Sequence, residues 1–160
     1  MENPVMGLTP YLTVSDAKAA IEFYKNAFGA KEITRHSAPD GGKLMHVHLD
    51  INGSALYFAD DFPEFMGGKS RTPQAFGGTP VTLHLHVENG QETWDRAIAA
   101  GVTVTMPFQE QFWGDLYGQF VDPFGHQWSI GQSVKSPTHE ELEEGAEAAF
   151  EKGRQKAVKV

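Results

Sequence analysis

The chain has 160 residues, of which 40% are hydrophobic and 21% charged, and its formal net charge is -8. This size and composition predict one globular domain with a buried core, and the negative charge argues against nucleic acid as a partner. The absence of cysteine excludes disulfides, thiolate metal ligands and a cysteine nucleophile. The first residues lack a signal-peptide pattern and no apolar run has the length of a membrane span, so we expect a cytoplasmic protein without membrane contact.

The first half of the chain predicts a strand, a helix and three further strands. The first strand ends at Ser15-Asp16, where either side chain suits a helix N-cap, and Gly29 suits the left-handed position that ends the helix. Asn52-Gly53 is the strongest short hairpin signal available between two β-type runs. The predicted strands are Leu8–Val14, Ala30–His36, Lys43–Ile51 and Ser54–Asp60.

The second half repeats this order of elements. Its first strand ends at Val87, which lies 73 positions after Val14. Glu88-Asn89 then leads into a helix that Gly101 is expected to end. The predicted strands of this half are Val81–Val87, Val102–Met106, Leu116–Val121 and Gln127–Gly131.

The spacing of glycines also indicates an internal duplication. Gly29 and Gly53 map onto Gly101 and Gly125 with a shift of 72 positions, so the spacing is 24 in each half. The sequence therefore predicts an α+β fold in which two βαβββ modules form a curved mixed sheet around a cavity, followed by a C-terminal helix.

The composition of the chain changes twice outside the predicted modules. The segment between the modules is rich in glycine and proline, and it is either a plain connector or a lid. Near the C-terminus, Thr138-His139-Glu140-Glu141 has the pattern of a capping box and predicts a helix from about Glu140 to Lys156. The predicted boundaries are a two-module domain over 1–136, with module one at 5–61, the linker or lid at 62–80 and module two at 81–134, and a tail helix within 137–160.

Alternation along the strands predicts which side chains share a face. A two-residue turn at Asn52-Gly53 sets His48 opposite Tyr57 on one face, and sets apolar residues together on the other face, against the helices. The polar faces carry no lysine or glutamate, which indicates a semi-buried concave pocket. The predicted lining residues are Thr9, Tyr11, His46, His48, Tyr57, Thr82, His84, His86, Trp113, Asp115, Tyr117 and Ser129.

The group Trp113, Asp115 and Tyr117 has two interpretations. The side chains form an aromatic wall with a polar anchor at the mouth of the pocket, or they mark a structural bend held by Gly114 and Gly118. The sequence does not choose between these alternatives.

Several short motifs together resemble a known superfamily. They are Pro10-Tyr11-Leu12, Ser15-Asp16-Ala17, Ile21-Glu22-Phe23-Tyr24, Phe28-Gly29-Ala30, Gly77-Gly78-Thr79-Pro80, Phe112-Trp113-Gly114-Asp115-Leu116-Tyr117-Gly118 and Asp122-Pro123-Phe124-Gly125-His126-Gln127-Trp128. With the duplicated module, they make the chain similar to the vicinal-oxygen-chelate superfamily of glyoxalases, extradiol dioxygenases and antibiotic-resistance proteins, and within it to the PhnB-like branch. The resemblance implies a small organic ligand and a homodimer.

The same resemblance implies where a divalent metal would bind in metal-dependent members. Mapped onto this chain, the four ligand positions are Thr9, Tyr57, Thr82 and Ser129. A hydroxyl group is a poor ligand beside imidazole or carboxylate. We therefore expect the usual metal centre to be absent and no cofactor to be required.

Four strand histidines leave a second function open. His46, His48, His84 and His86 form two i, i+2 pairs, which either chelate a metal at a displaced site or line the pocket as hydrogen-bonded polar groups. The favoured hypothesis is a metal-free protein of the glyoxalase/bleomycin-resistance type that binds a small molecule. The alternatives are a lyase, isomerase or dioxygenase that uses the histidine site or acid–base Tyr and His, and a partner-binding protein with a filled cavity.

Overall fold

The computed structural model describes residues 3–159 and shows two successive βαβββ modules. Module one contains β1 (Tyr11–Val14), α1 (Ala17–Phe28), β2 (Lys31–Ser37), β3 (Leu44–Ile51) and β4 (Ser54–Asp60). The connecting segment contains a 3-10 turn (Pro63–Phe65) and the short helix α2 (Pro73–Phe76). Module two contains β5 (Thr82–His86), α3 (Gly90–Ala100), β6 (Thr103–Glu110), β7 (Asp115–Val121) and β8 (Gln127–Ser133), and α4 (His139–Val158) follows it.

The strands form two four-stranded mixed sheets with the same internal order. The orders are β1-β4-β3-β2 and β5-β8-β7-β6. The first strand of each module is therefore an edge strand, and it pairs in parallel with the last strand of its module. The predicted α+β fold class is confirmed.

The local signals in module one act as the sequence predicts. The carboxylate of Asp16 caps α1 by accepting a hydrogen bond from the Ala19 amide at 3.0 Å. Gly29 ends the helix in the left-handed conformation, with φ of 66°. Asn52 and Gly53 both have positive φ, as a type I′ turn requires, and the resulting register pairs His48 with Tyr57.

The strand registers extend the duplication to individual residues. Tyr11 lies beside Tyr57 in module one, and His84 lies beside Ser129 in module two. Tyr11 and His84 are 73 positions apart, like Val14 and Val87, and Tyr57 and Ser129 are 72 positions apart, like the glycines. Equivalent positions of the two modules can therefore be compared side chain by side chain.

Two predicted strands were wrong in their bounds by three residues or more. β1 begins at Tyr11 rather than at Leu8, and the Leu8 side chain, which precedes the strand, is fully exposed. β6 continues to Glu110 rather than ending at Met106. The extension contains Pro107, which an edge strand tolerates where its register shifts, as β6 does between Met106 and Gln109.

The core lies between the apolar faces of the two sheets and the helices α1 and α3, which pack against each other. The hydroxyl of Tyr24 donates a 2.6 Å hydrogen bond to the buried carboxylate of Asp122 in module two. That carboxylate also accepts from the Trp128 indole N–H at 2.9 Å and from two backbone amides in its own turn. Burial raises the pKa of Tyr24 well above its ordinary value and Asp122 adds to the shift, so the hydroxyl stays a donor. This buried carboxylate joins the two modules.

The helices carry no sign of a membrane-spanning segment. Across residues 3–159, no helix combines the length and the apolar character needed to cross a bilayer.

Candidate functional site

The polar face of module one is filled by contacts among its own aromatic and histidine rings. Tyr57 lies at the centre, with ring centroids of His46 and His48 each 4.9 Å away and that of Tyr11 5.6 Å away. The Tyr11 hydroxyl lies 2.8 Å from Nδ1 of His46. His48 is buried, although Tyr11 at the sheet edge is 57% exposed. Four of the predicted lining residues are thus brought together as a packed ring cluster.

The polar face of module two instead carries an open hollow of about 590 Å³. We call it the module-two hollow. Its lining residues are Thr82, His84, Met106, Trp113, Asp115, Tyr117, Gln119 and Ser129. Six of these residues were predicted from the sequence.

The sequence interpretation missed Met106 and Gln119. Gln119 pairs with Ser129 across β7 and β8, as His48 pairs with Tyr57 in module one, so the duplication was the signal that would have found it. Its side-chain amide donates to the Tyr117 hydroxyl at 3.0 Å. Met106 carried no comparable signal, because it was placed at the end of a strand that in fact continues past it.

A chain of imidazole and hydroxyl groups runs along β5 beside the hollow. Nδ1 of His84 lies 2.7 Å from Oγ of Ser129, and its Nε2 lies 3.4 Å from Nδ1 of His86. Nε2 of His86 in turn lies 3.0 Å from Oγ of Ser133. Burial, followed by the neighbouring His86, lowers the pKa of His84 below its ordinary value. The site therefore presents His84 as a neutral imidazole at neutral pH.

The Trp113 group lies at the hollow and also carries two glycines with a structural role. The indole N–H of Trp113 donates to Asp115 at 3.2 Å, and the rings of Trp113 and Tyr117 meet edge to face, so these side chains form a wall of the hollow. Gly114 and Gly118 are structural, because a Cβ on Gly114 would collide with the Lys135 carbonyl and one on Gly118 would lie 2.8 Å from the Trp94 ring.

The remaining predicted residues border two clefts between the modules. Thr9 lies with Thr82 and His84 on a cleft of about 500 Å³, next to the N-terminal segment and the start of β4. His86 lies on a second cleft of about 790 Å³, between the Asn52 turn and the start of α3. The structure therefore places Thr9 and His86 at the margins of the module-two hollow rather than in it.

Comparisons with known proteins decide the family. Residues 4–130 match the model described as the glyoxalase/bleomycin resistance protein/dioxygenase superfamily. The chain belongs to that superfamily.

Several known proteins are similar to the chain over most of its length. The uncharacterized protein Rv0887c of Mycobacterium tuberculosis is 48% identical over 141 residues, which cover 88% of this chain and 82% of that protein. The crystallised PhnB protein from Bacillus cereus superposes with a TM-score of 0.59 at 16% identity, over 80% of this chain and all of that one. FosX from Listeria monocytogenes was solved with Mn(II) and a dihydroxypropylphosphonic acid. It superposes with a TM-score of 0.58 at 19% identity, over 86% of this chain and 98% of FosX. At these identities the two structural matches show the fold alone.

The residues at the superfamily's metal positions do not suit a divalent cation. All four are hydroxyl side chains, and two of them are engaged elsewhere, since Ser129 contacts His84 and Thr82 donates to Gln127 at 3.4 Å. The histidine pairs at 46/48 and 84/86 lie in β3 and β5, one pair in each module. Within residues 3–159, no three His, Cys, Asp or Glu side chains gather in a way that would hold a metal ion. The displaced four-histidine centre is thus not assembled within one chain.

Proposed function

We propose that this protein binds a small organic molecule in the module-two hollow and does so without a metal or other cofactor. The observation that carries the proposal is the hollow itself, a concave surface where Trp113 and Tyr117 offer apolar ring area and Gln119 and Ser129 offer hydrogen bonds. Small-molecule sites combine mostly apolar walls with a few placed polar groups in this way. Hydroxyls at the four metal positions support binding by contact rather than by chelation.

We also propose that the protein is a cytoplasmic homodimer. The module-two hollow is open on one side, and each module exposes its first strand as a sheet edge. A second copy placed over these edges would enclose the hollow and bury more of a bound ligand. Sedimentation equilibrium tests whether the chain forms a dimer at all, and a chain that stays monomeric at high micromolar concentration would contradict the proposal.

The experiment for binding is a titration of the labelled protein with a fragment library of small organic acids and amides, followed by amide chemical shifts. We expect the shifted amides to cluster at residues 113–119 and 129, the polar side of module two. Fragments that shift only amides elsewhere, or none at all, would count against the hollow as the site.

A pair of matched variants sharpens this experiment. Gln119→Trp places a large ring in the hollow and is expected to abolish the fragment-induced shifts. Gln91→Trp makes the same change on the exposed surface of α3, away from the hollow lining, and is expected to leave them intact. Equal loss in both variants would show that the effect is not local.

A further inference from the structure

The C-terminal helix α4 is attached to the body at its beginning. Thr138 and Glu141 form a reciprocal capping box that fixes its first turn. One turn later, Gly145 lies against Phe112, and a Cβ there would come within 2.7 Å of the Phe112 side chain. None of the 20 helical residues is buried, and only Leu142 and Gly145 are even half-buried. The helix is therefore an arm that starts on the body and then presents its sides to solvent.

One side of this arm is apolar. At 100° per residue, Leu142, Ala146, Ala149, Phe150 and Gly153 fall within a single stripe. Phe150 is 67% exposed, with the Arg154 guanidinium 5.0 Å from its ring centroid. Small residues at 146, 149 and 153 would let another helix approach closely, as in tightly packed helix pairs.

The charges of the arm are separated along its length. Glu140, Glu141, Glu143, Glu144, Glu147 and Glu151 occupy the first part, and Lys152, Arg154, Lys156 and Lys159 occupy the last. This separation suits the helix macrodipole. It also places like charges four residues apart, as at Glu143 and Glu147 or Lys152 and Lys156, which is unfavourable within a single helix.

We propose that α4 pairs in antiparallel fashion with α4 of a second copy of this chain. A two-fold axis through the middle of the stripe brings the acidic half of each arm beside the basic half of the other. The same rotation places the two apolar stripes face to face. A parallel pair would set acid beside acid, so the charge pattern selects the antiparallel one. The pairing does not depend on ligand binding in the module-two hollow.

The absence of cysteine makes a direct geometric test possible. Under mild oxidation, full-length Ala149→Cys is expected to form a disulfide-linked dimer, because position 149 lies next to the two-fold axis. Ala157→Cys lies eight residues further on, so the two thiols of an antiparallel pair would be separated by about 24 Å and should not link. Ala148→Cys is the matched control on the opposite side of the helix and should also stay unlinked.

Each other result overturns the proposal. Linkage of both Ala149→Cys and Ala157→Cys would indicate a parallel pair. Linkage of Ala148→Cys as readily as Ala149→Cys would indicate random collision, and no linkage of Ala149→Cys would mean that the stripes do not meet. Fragment binding in the hollow is measured separately, so failure of one proposal is distinguishable from failure of the other.

Charge reversal tests whether electrostatic attraction selects the antiparallel orientation of the two α4 helices. Glu143 and Arg154 lie on the same flank of the stripe, and an antiparallel pair with its axis near 149 sets Glu143 of one arm beside Arg154 of the other. In the Ala149→Cys background, Glu143→Arg alone and Arg154→Glu alone are each expected to link at least about tenfold more slowly, and an equimolar mixture is expected to recover linkage as the mixed dimer. A mixture that links no faster than the separate variants would overturn the proposal. Glu144→Arg, on the far side of the helix, controls for the change in net charge.

Discussion

The two modules share a backbone plan but differ in what their strand faces hold. Tyr57 of module one and Ser129 of module two occupy equivalent positions, and so do Tyr11 and His84. In module one the rings of His46 and His48 pack against the larger Tyr57, whereas in module two the smaller serine lies at a hollow of about 590 Å³. Duplication therefore fixes where a site lies, whereas the volume of the side chains at equivalent register positions decides whether the site is open.

A second difference concerns the turns that precede the last strand of each module. The first turn has two residues between Ile51 and Ser54, whereas the second has three between Asp122 and His126, so Asp122 corresponds to Ile51 and Asp50 lies one residue earlier in its strand. The Asp50 carboxylate accepts the Gly53 amide at 3.1 Å, whereas the Asp122 carboxylate is buried and also accepts hydrogen bonds from Tyr24 and Trp128. One turn closes a hairpin, and the other joins the modules.

The largest expected effect comes from Asp122→Ala. It would leave the Tyr24 hydroxyl and the Trp128 indole N–H buried without their acceptor, so we expect the free energy of unfolding to fall by about 3–5 kcal/mol. Urea denaturation followed by circular dichroism measures the change.

Asp50→Ala is the matched control in module one, and it should cost about 1 kcal/mol because a single exposed turn contact is lost. Tyr24→Phe removes one donor and leaves the carboxylate, so its loss in the free energy of unfolding should lie between those of Asp50→Ala and Asp122→Ala. Equal losses for Asp50→Ala and Asp122→Ala would contradict a special role for the second turn.

A smaller loss of stability is expected from a substitution at Gly118, a glycine of module two that lies against the ring of Trp94. Gly118 is equivalent to Val47 of module one, and a Cβ at Gly118 would lie 2.8 Å from the ring of Trp94. Gly118→Ala should therefore lower the free energy of unfolding by about 1–3 kcal/mol through overpacking.

The same stability measurement checks this prediction, and a double variant locates its cause. Trp94→Phe removes the part of the ring that a Cβ at position 118 would meet, so it should reduce the cost of Gly118→Ala. A cost that is unchanged in the Trp94→Phe background would place the strain elsewhere.

Acid should affect module two through His84, whose equivalent in module one is Tyr11. The pKa of His84 is lowered below 6.5 by burial and by His86. As the pH falls, His84 therefore takes up its proton at a higher pH in the unfolded chain than in the folded chain. The contribution of neutral His84 to the free energy of unfolding is present above pH 6.5 and is lost as the pH falls below it. Between pH 7 and pH 5, His84→Gln should lose less of its stability than the parent chain does. A proton NMR titration of His84 that gives a midpoint above 6.5 would contradict the direction.

The smallest effect is expected on the outer strand of module one. Arg35 hydrogen-bonds Glu32 at 2.6 Å and Lys25 contacts it at 3.0 Å, and these partners lower the pKa of Glu32 to about 2. The equivalent residue in module two is Val104, which is 40% exposed and has no charge to pair. Because the group is near the surface, Glu32→Gln should cost less than about 1 kcal/mol at neutral pH.

The contribution of the ionised Glu32 carboxylate to stability can be tested by varying the pH and the salt concentration. The lowered pKa means that the stabilisation is present above about pH 4.5 and is lost as the pH falls towards 2. High salt should shrink the difference between the parent chain and Glu32→Gln. A difference that grows with salt would rule out an electrostatic origin.

The order of elements, the duplication and the register of the first hairpin could all be predicted from the amino-acid sequence. Those features depend on local signals, such as the cap at Asp16, the left-handed Gly29 and the turn at Asn52-Gly53. Alternation then sorted polar from apolar faces and predicted Thr82, His84 and Ser129, whereas Trp113, Asp115 and Tyr117 were predicted as an aromatic wall with a polar anchor.

Which polar face is open depends on tertiary packing and could not be predicted from local signals. Alternation gives the same face to His48 and to Gln119, but it contains no information on the volume of the neighbours across the sheet. Burial of Asp122 beneath a helix of the other module was likewise invisible, since the sequence marks it only as a turn residue. Local chemistry fixes elements and faces, whereas the packing of one module against the other fixes which of them are filled, joined or left open.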